Sequence, residues 1–158
     1  MLEVMIAILT IAAFLTGTLQ LMAFTALYKV RAERQAQANF WIQEDFEDVK
    51  FLASTLDFDH SLCNEGYATA LRRQLTATPL PTPLPTSPDQ EVETRTIVGK
   101  NYSLYRTFNN TSANPHRLRI DYRVQLATGQ IADDYQNQEN VIARSSVEVI
   151  PNASFQCP

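Results

Sequence analysis

The third residue of this chain, Glu3, is a carboxylate set directly ahead of 25 residues without a charge, Val4 to Tyr28. An acid at the edge of an apolar run is costly in hydrocarbon unless it is paired, so its chemistry there is ion pairing. Cys63 and Cys157 could form a disulfide or supply a reactive thiol. Neither belongs to a CxxC pair, and neither has an obvious activating neighbour in sequence. His60 and His116 are the only histidines, which leaves no zinc-like spacing. Asp133, Asp134, Asn137, Glu139 and Asn140 form an oxygen-rich stretch of the kind that holds Ca²⁺. Their spacing fits no EF-hand loop, and a solvated turn is the plainer reading. Thr78, Thr82, Thr86 and Ser87 lie among five prolines and could carry O-glycans. Asn-x-Ser/Thr matches at Asn101, Asn109, Asn110 and Asn152 arise easily in asparagine-rich loops and carry little weight.

No nucleophile–base arrangement emerges from these sets. Glycine is scarce, at 4 residues, so no glycine-rich phosphate loop is present. The formal charge is −4 with no basic block, which argues against nucleic-acid binding. The expectation is a chain without catalytic residues, metal or cofactor, whose function lies in what it packs against.

The elements that position these residues begin with the uncharged run. As a helix it would span roughly 37 Å, longer than the ~30 Å hydrocarbon layer. A cleaved signal peptide would have a basic start and a shorter apolar core; here the start is acidic and the run too long. Thr16, Gly17, Thr18 and Gln20 interrupt the run at its centre. Gly costs about 1 kcal/mol against Ala in a helix and Thr is β-branched, so Thr16, Gly17 and Thr18 mark the weak point. Lys29, Arg31 and Arg34 follow the span. The positive-inside rule would put that end in the cytoplasm. An exported head is compatible with it if a basic leader once preceded Met1.

After Tyr28 no Pro or Gly occurs until Gly66, and good helix formers dominate. Ile42, Phe46, Val49, Ala53 and Leu56 share one face, with Arg31, Arg34, Glu44, Glu47 and Asp48 mostly off it. The pattern predicts one helix from about residue 2 to 56, apolar all round in 1–28 and amphipathic in 29–57. Residues 58–158 form a head. Asn64 is placed to cap a short helix over 65–75. The stretch "TATPLPTPLPTSPDQ", 76–90, reads as an extended polyproline loop: a stiff connector, a glycosylated tract or a proline-docking site. Strands are expected near 92–98, 102–109, 116–127 and 141–150, with turns at Gly99–Asn101, Asn109–Pro115 and Thr128–Asn140. In 116–127, Leu118, Ile120, Tyr122, Val124 and Leu126 alternate with Arg117, Arg119, Asp121, Arg123 and Gln125. That period of two demands one buried and one wet sheet face. The fold class is α+β: a long N-terminal helix whose C-terminal half packs on a roughly four-stranded antiparallel sheet.

The opening "MLEVMIAILTIAAFLTGTLQL" resembles the processed N-terminus of type IV pilins and type II secretion pseudopilins. Leu2-Glu3-Val4 with Ile6, Ala7, Ile8 and Leu9 carries the likeness, which covers about the first 55 residues. The tract "FWIQEDFEDVKF", 40–51, is similar to helix continuations in cyanobacterial pilin-like proteins. Two residues fewer precede Glu3 than in the family, so either Met1 is not the mature terminus or the numbering omits two residues. The proline that many members carry in mid-span is absent, leaving Gly17.

The resemblance implies a pilin-like fold and a structural subunit of an extracellular filament. Glu3 would pair with the terminal amine of a neighbouring copy and set the axial register. The implied partners are further copies of the chain, the inner membrane before assembly, the leader peptidase and the pilus assembly machinery. Residues 16–20 would lose regular helical bonding in the filament. A minor pilin or pseudopilin is the alternative within this class, and a monomeric membrane-anchored binding module the alternative outside it. Export to an oxidising compartment would pair Cys63 with Cys157 and pin the chain end to the helix–head junction.

Overall fold

The computed structural model describes residues 2–76, 89–111, 113–131 and 140–158. The chain opens with one uninterrupted helix, α1, Leu2–Thr55. Its 54 residues reach about 80 Å. At its C-terminal end Ser54 and Thr55 turn their hydroxyls back onto the carbonyls of Phe51 and Leu52, at 2.7 and 3.0 Å.

Two short helices follow, α2 (His60–Glu65) and α3 (Tyr67–Thr76). The expected helix over 65–75 is present as α3, starting two residues later, but Asn64 does not cap it: Asn64 lies inside α2. The additional helix α2 is capped by Asp59, whose carboxylate accepts from Ser61 N at 2.8 Å. Gly66 separates the two helices with φ +99°. A Cβ there would collide with the carbonyl oxygen of Pro115, so glycine is needed both for its backbone angle and for the close approach.

The sheet is an antiparallel meander of β1 (Asp89–Ile97), β2 (Lys100–Thr111), β3 (Asn114–Leu126) and β4 (Val141–Val149), in that spatial order. All four expected strands are present. The polyproline reading of 76–90 is corrected at both ends: Thr76 belongs to α3, and Asp89 and Gln90 to β1. The rest of that tract, 77–88, with Thr78, Thr82, Thr86 and Ser87, lies outside the described residues, as do Asp133, Asp134, Asn137 and Glu139.

The first hairpin turns one residue earlier than expected. Ile97 pairs with Lys100, leaving Val98 and Gly99 as a two-residue loop with φ of 44° and 78°. Two positive φ values in sequence are what such a hairpin requires, and Gly99 meets the second at no steric cost. Val98 is β-branched and meets the first at a cost. It is held there by packing on the core and by Arg34, whose guanidinium donates to the Val98 carbonyl at 3.4 Å.

One core fills the space between the sheet and the helices. Leu118, Ile120, Tyr122 and Val124 face inward from β3, and Tyr102, Leu104 and Phe108 from β2. They meet Ala38, Trp41, Ile42, Val49 and Ala53 of α1 and Ala68 and Leu71 of α3. Each large apolar side chain so buried contributes about 1.5–3 kcal/mol. The α+β architecture expected from the sequence is therefore the one observed, with only the C-terminal half of α1 laid on the sheet.

The opposite sheet face is polar. Asp121 accepts from Ser146 and Asn109, both at 2.6 Å, and from Arg119 at 3.1 Å. The Ser146 bond, with Arg119 and Asn109 adding, holds the Asp121 carboxyl below its ordinary range. The Ser61 bonds do the same for the capping Asp59. A carboxyl depressed in the folded state contributes stability above its ordinary pKa and loses it as pH falls through the folded one. The head should hold a constant melting temperature down to about pH 4 and lose stability below that. Asp121→Asn should flatten part of this slope. Melting followed by circular dichroism between pH 7 and pH 2.5 checks it, and an unchanged slope in the variant would remove Asp121 from the account.

Candidate assembly surface

The N-terminal half of α1 has no core to enter. From residue 2 to 29 every residue is exposed except the half-buried Thr18. Leu2, Phe14, Met22 and Tyr28 are each at least 68% exposed. The exposure runs right round the helix, as in an element surrounded by lipid or by other helices. The helix is long and apolar enough to cross a membrane.

Its threonine hydroxyls are turned inward on the backbone. Thr10, Thr16, Thr18 and Thr25 donate to the carbonyls of Ala7, Ala12, Leu15 and Leu21, at 2.8–2.9 Å. Each hydroxyl is thereby satisfied without water, which suits an apolar environment. The helix runs unbroken through Thr16, Gly17 and Thr18. A Cβ on Gly17 would meet nothing within 4 Å, so packing inside one copy gives no reason for glycine there. Glu3 lies in the first turn, where the helix dipole favours a negative charge.

The head is coupled to this rod by a buried charge pair. Asp45 of α1 and Arg106 of β2 are 7% exposed each. Arg106 Nε donates to Asp45 Oδ2 at 2.7 Å and its Nη2 donates to Oδ1, a two-pronged pair. Tyr122 lies opposite Arg106 in the ladder. Burial, reinforced by the Asp45 charge, pushes its phenol well above the ordinary range, so it stays neutral. A second link sits on the surface, where Arg95 of β1 pairs with Glu44 of α1 at 2.7 Å and lies over the Trp41 ring.

No protein-family model, curated protein or solved structure matches the chain. What the surface can do follows from its own side chains.

Cys63 and Cys157, 94 residues apart in sequence, are joined as a disulfide with their Cα atoms 5.6 Å apart. The bridge ties the end of the chain to α2. Pro151, Ala153 and Ser154 are also buried, in and beside the 3-10 helix Asn152–Gln156. The tail therefore has an apolar anchor that the sequence reading lacked.

Glu3 stands at the far end of α1 from these cysteines, and the two features form no common site. His60 packs edge-on against Phe58, and His116 Nδ1 accepts from Tyr67 N at 3.4 Å. Among the described residues no group of three or more His, Cys, Asp or Glu side chains is set to hold a metal.

Sequence reasoning missed Asp45 and Arg106 and put Arg34 mostly off the buried face. All three carried a signal. Asp45 falls in phase with Ile42 and Val49, and Arg106 alternates with Tyr102, Leu104 and Phe108. Arg34 stands one helical turn before Ala38 and is only 8% exposed.

Proposed function

We propose that this chain is the structural subunit of a type IV pilus-like extracellular filament. It is held by α1 in the inner membrane before assembly and then packed, copy on copy, through the same helix. One observation carries the reading. A single unbroken helix leaves its first half, uncharged from Val4 to Tyr28, uncovered while its second half is locked into a folded head. Such a rod can exchange lipid for the helices of other copies without refolding the head. The resemblance of the first residues to processed pilins supports the same assignment, and with it a role for leader peptidase and assembly machinery. The function is structural, not catalytic.

Electron microscopy of material sheared from cells making the chain tests this. Helical polymers with this chain as the repeating subunit are expected. Filaments in which it is a trace component would make it a minor pilin or pseudopilin. Its recovery only as membrane-bound monomer would make it an anchored binding module.

Glu3→Ala provides the residue-level test. If the carboxylate neutralises a neighbour's terminal amine in an apolar core, losing it leaves that cation buried and unpaired, a penalty of several kcal/mol. Filament yield should fall at least tenfold, with the head's melting unchanged. Glu3→Asp keeps the charge with a shorter reach and should recover part of the yield. Wild-type yield from Glu3→Ala would sink the pairing.

A further inference from the structure

We propose that Phe40 and Phe51, on the outward face of α1 along the head, receive the apolar span of a second copy of this chain, with Phe40 in the notch at Gly17 and Phe51 against Tyr28. The proposal rests on the filament reading above and names the surface through which one copy takes the next. Beyond Tyr28, the large apolar side chains that α1 leaves exposed are Phe40 and Phe51, at 68% and 67%. They stand 11 residues apart, close to three turns, so they share one line on the helix. Ala38, Ile42, Asp45 and Val49 hold the opposite side against the head. A helix that served its own head alone would be polar on that outward line. Phe40 also walls a shallow groove between α1 and β1, with Ala36, Trp41 and Ile97.

Lipid does not account for this line. Phe40 lies roughly 18 Å and Phe51 roughly 35 Å beyond Tyr28 along the axis, past the headgroup layer. An uncharged helix does account for it. The acids nearest the two rings are already held, Glu44 by Arg95 and Glu47 by Lys50, each at 2.7 Å. The chain itself supplies such a helix in its uncovered run from Val4 to Tyr28.

The spacing selects the register. Gly17 and Tyr28 are also 11 residues apart and share a line of their own on the exposed span. A Cβ on Gly17 would meet nothing within one copy, so the glycine is free to serve a contact between copies, where its missing side chain lets a ring approach the backbone. Chains held in one membrane by the same span point the same way, so the two helices run parallel. A displacement of 23 residues, roughly 35 Å, then brings Gly17 to Phe40 and Tyr28 to Phe51 at once. The line that inserts and the line that receives lie roughly 140° apart around α1. The contact is therefore head-to-tail and leaves each copy able to take another, as an open filament requires.

Filaments sheared from cells making the full chain test the proposal. Phe40→Ala should lower their yield about tenfold, the usual loss when a central aromatic anchor is truncated. Gly17→Leu fills the notch and should do the same. Neither should move the head's unfolding midpoint, since neither residue is in its core. Mixed filaments identify the occupant. Cys63 and Cys157 are bridged, so a cysteine introduced elsewhere is the free thiol. Copies carrying Tyr28→Cys should cross-link on oxidation to copies carrying Phe51→Cys, and not to copies carrying Phe40→Cys, roughly 16 Å away along the helix. Wild-type yield from Gly17→Leu overturns the proposal, as does a lowered midpoint for Phe40→Ala, which would return that ring to its own head. Filaments that form without the Tyr28–Phe51 cross-link, or with an equal one to position 40, give the line another cover and overturn it alone. A wild-type chain that makes no filaments overturns the filament reading itself.

Discussion

Asp45→Ala should cost the head about 3–5 kcal/mol, a large share of the roughly 5–15 kcal/mol that holds a domain folded. Arg106 carries the reason. Its guanidinium is buried on the inner face of β2, between Leu104 and Phe108 in the alternation, and Asp45 is its two-pronged partner. Removing the carboxylate leaves a cation in the core without its counter-charge. Asp45→Asn keeps an acceptor but not the charge, and should fall between wild type and alanine. The pair as such is weak evidence for net stability, because desolvating two charges offsets most of their attraction. Asp45→Leu with Arg106→Met should therefore recover most of the loss. Trp41, the only tryptophan, lies in the core one turn before Asp45 and reports unfolding. Urea titration of the full chain in detergent, followed by its fluorescence, measures the cycle. A loss under about 1 kcal/mol for Asp45→Ala would mean that water reaches Arg106 and that the interior is wetter than its burial implies.

The same pair shows where the sequence stops being legible. The long helix could be read because Gly and Pro are missing from 29–65, and β3 because its alternation is nearly unbroken. Those are local patterns, fixed by the period of each element. Asp45 and Arg106 sit in the correct phase of their own elements but carry the wrong polarity for a core. Only the partner, 61 residues away, makes either burial tolerable. Gly66 is similar. Nothing nearby in sequence says that Pro115 will press against it, so the expected helix over 65–75 runs through Gly66, and α2 before it is not foreseen. The turn at Val98 was misplaced because a β-branched residue is a poor occupant of a positive φ, and Arg34 and the core hold it there from outside the turn. The exposed half of α1 was the clearest feature of all, since composition alone decides that it needs a cover. Which cover it takes depends on molecules beyond one chain.

Removing the Cys63–Cys157 bridge should lower the unfolding free energy of the head by up to about 4–5 kcal/mol. That is what the chain-entropy model gives for a closed loop of this length. The bridge joins residues 94 apart, so the unfolded chain loses much of its freedom when it is intact. The folded state should change little. Pro151, Ala153 and Ser154 are buried without help from the sulfurs, and Cys157 N donates to the carbonyl of Ser154 at 3.2 Å. The tail is therefore docked by packing as well as by the covalent link. Cys63→Ser with Cys157→Ser should keep the native circular dichroism and Trp41 emission in buffer, yet unfold at a clearly lower urea concentration with a steeper dependence on denaturant, because the unbridged chain exposes more surface when it unfolds. Limited proteolysis separates the two ways the bridge could act. If it works on the unfolded state alone, cleavage after Val149 in native buffer stays as slow as in wild type. If the double variant is instead cut there rapidly, the covalent link is what holds the 3-10 helix on α1, and the buried residues at 151–154 are a consequence of the bridge, not a second anchor. Equal midpoints for the two proteins would contradict both accounts and leave the pairing of these cysteines without an effect on the stability of the head.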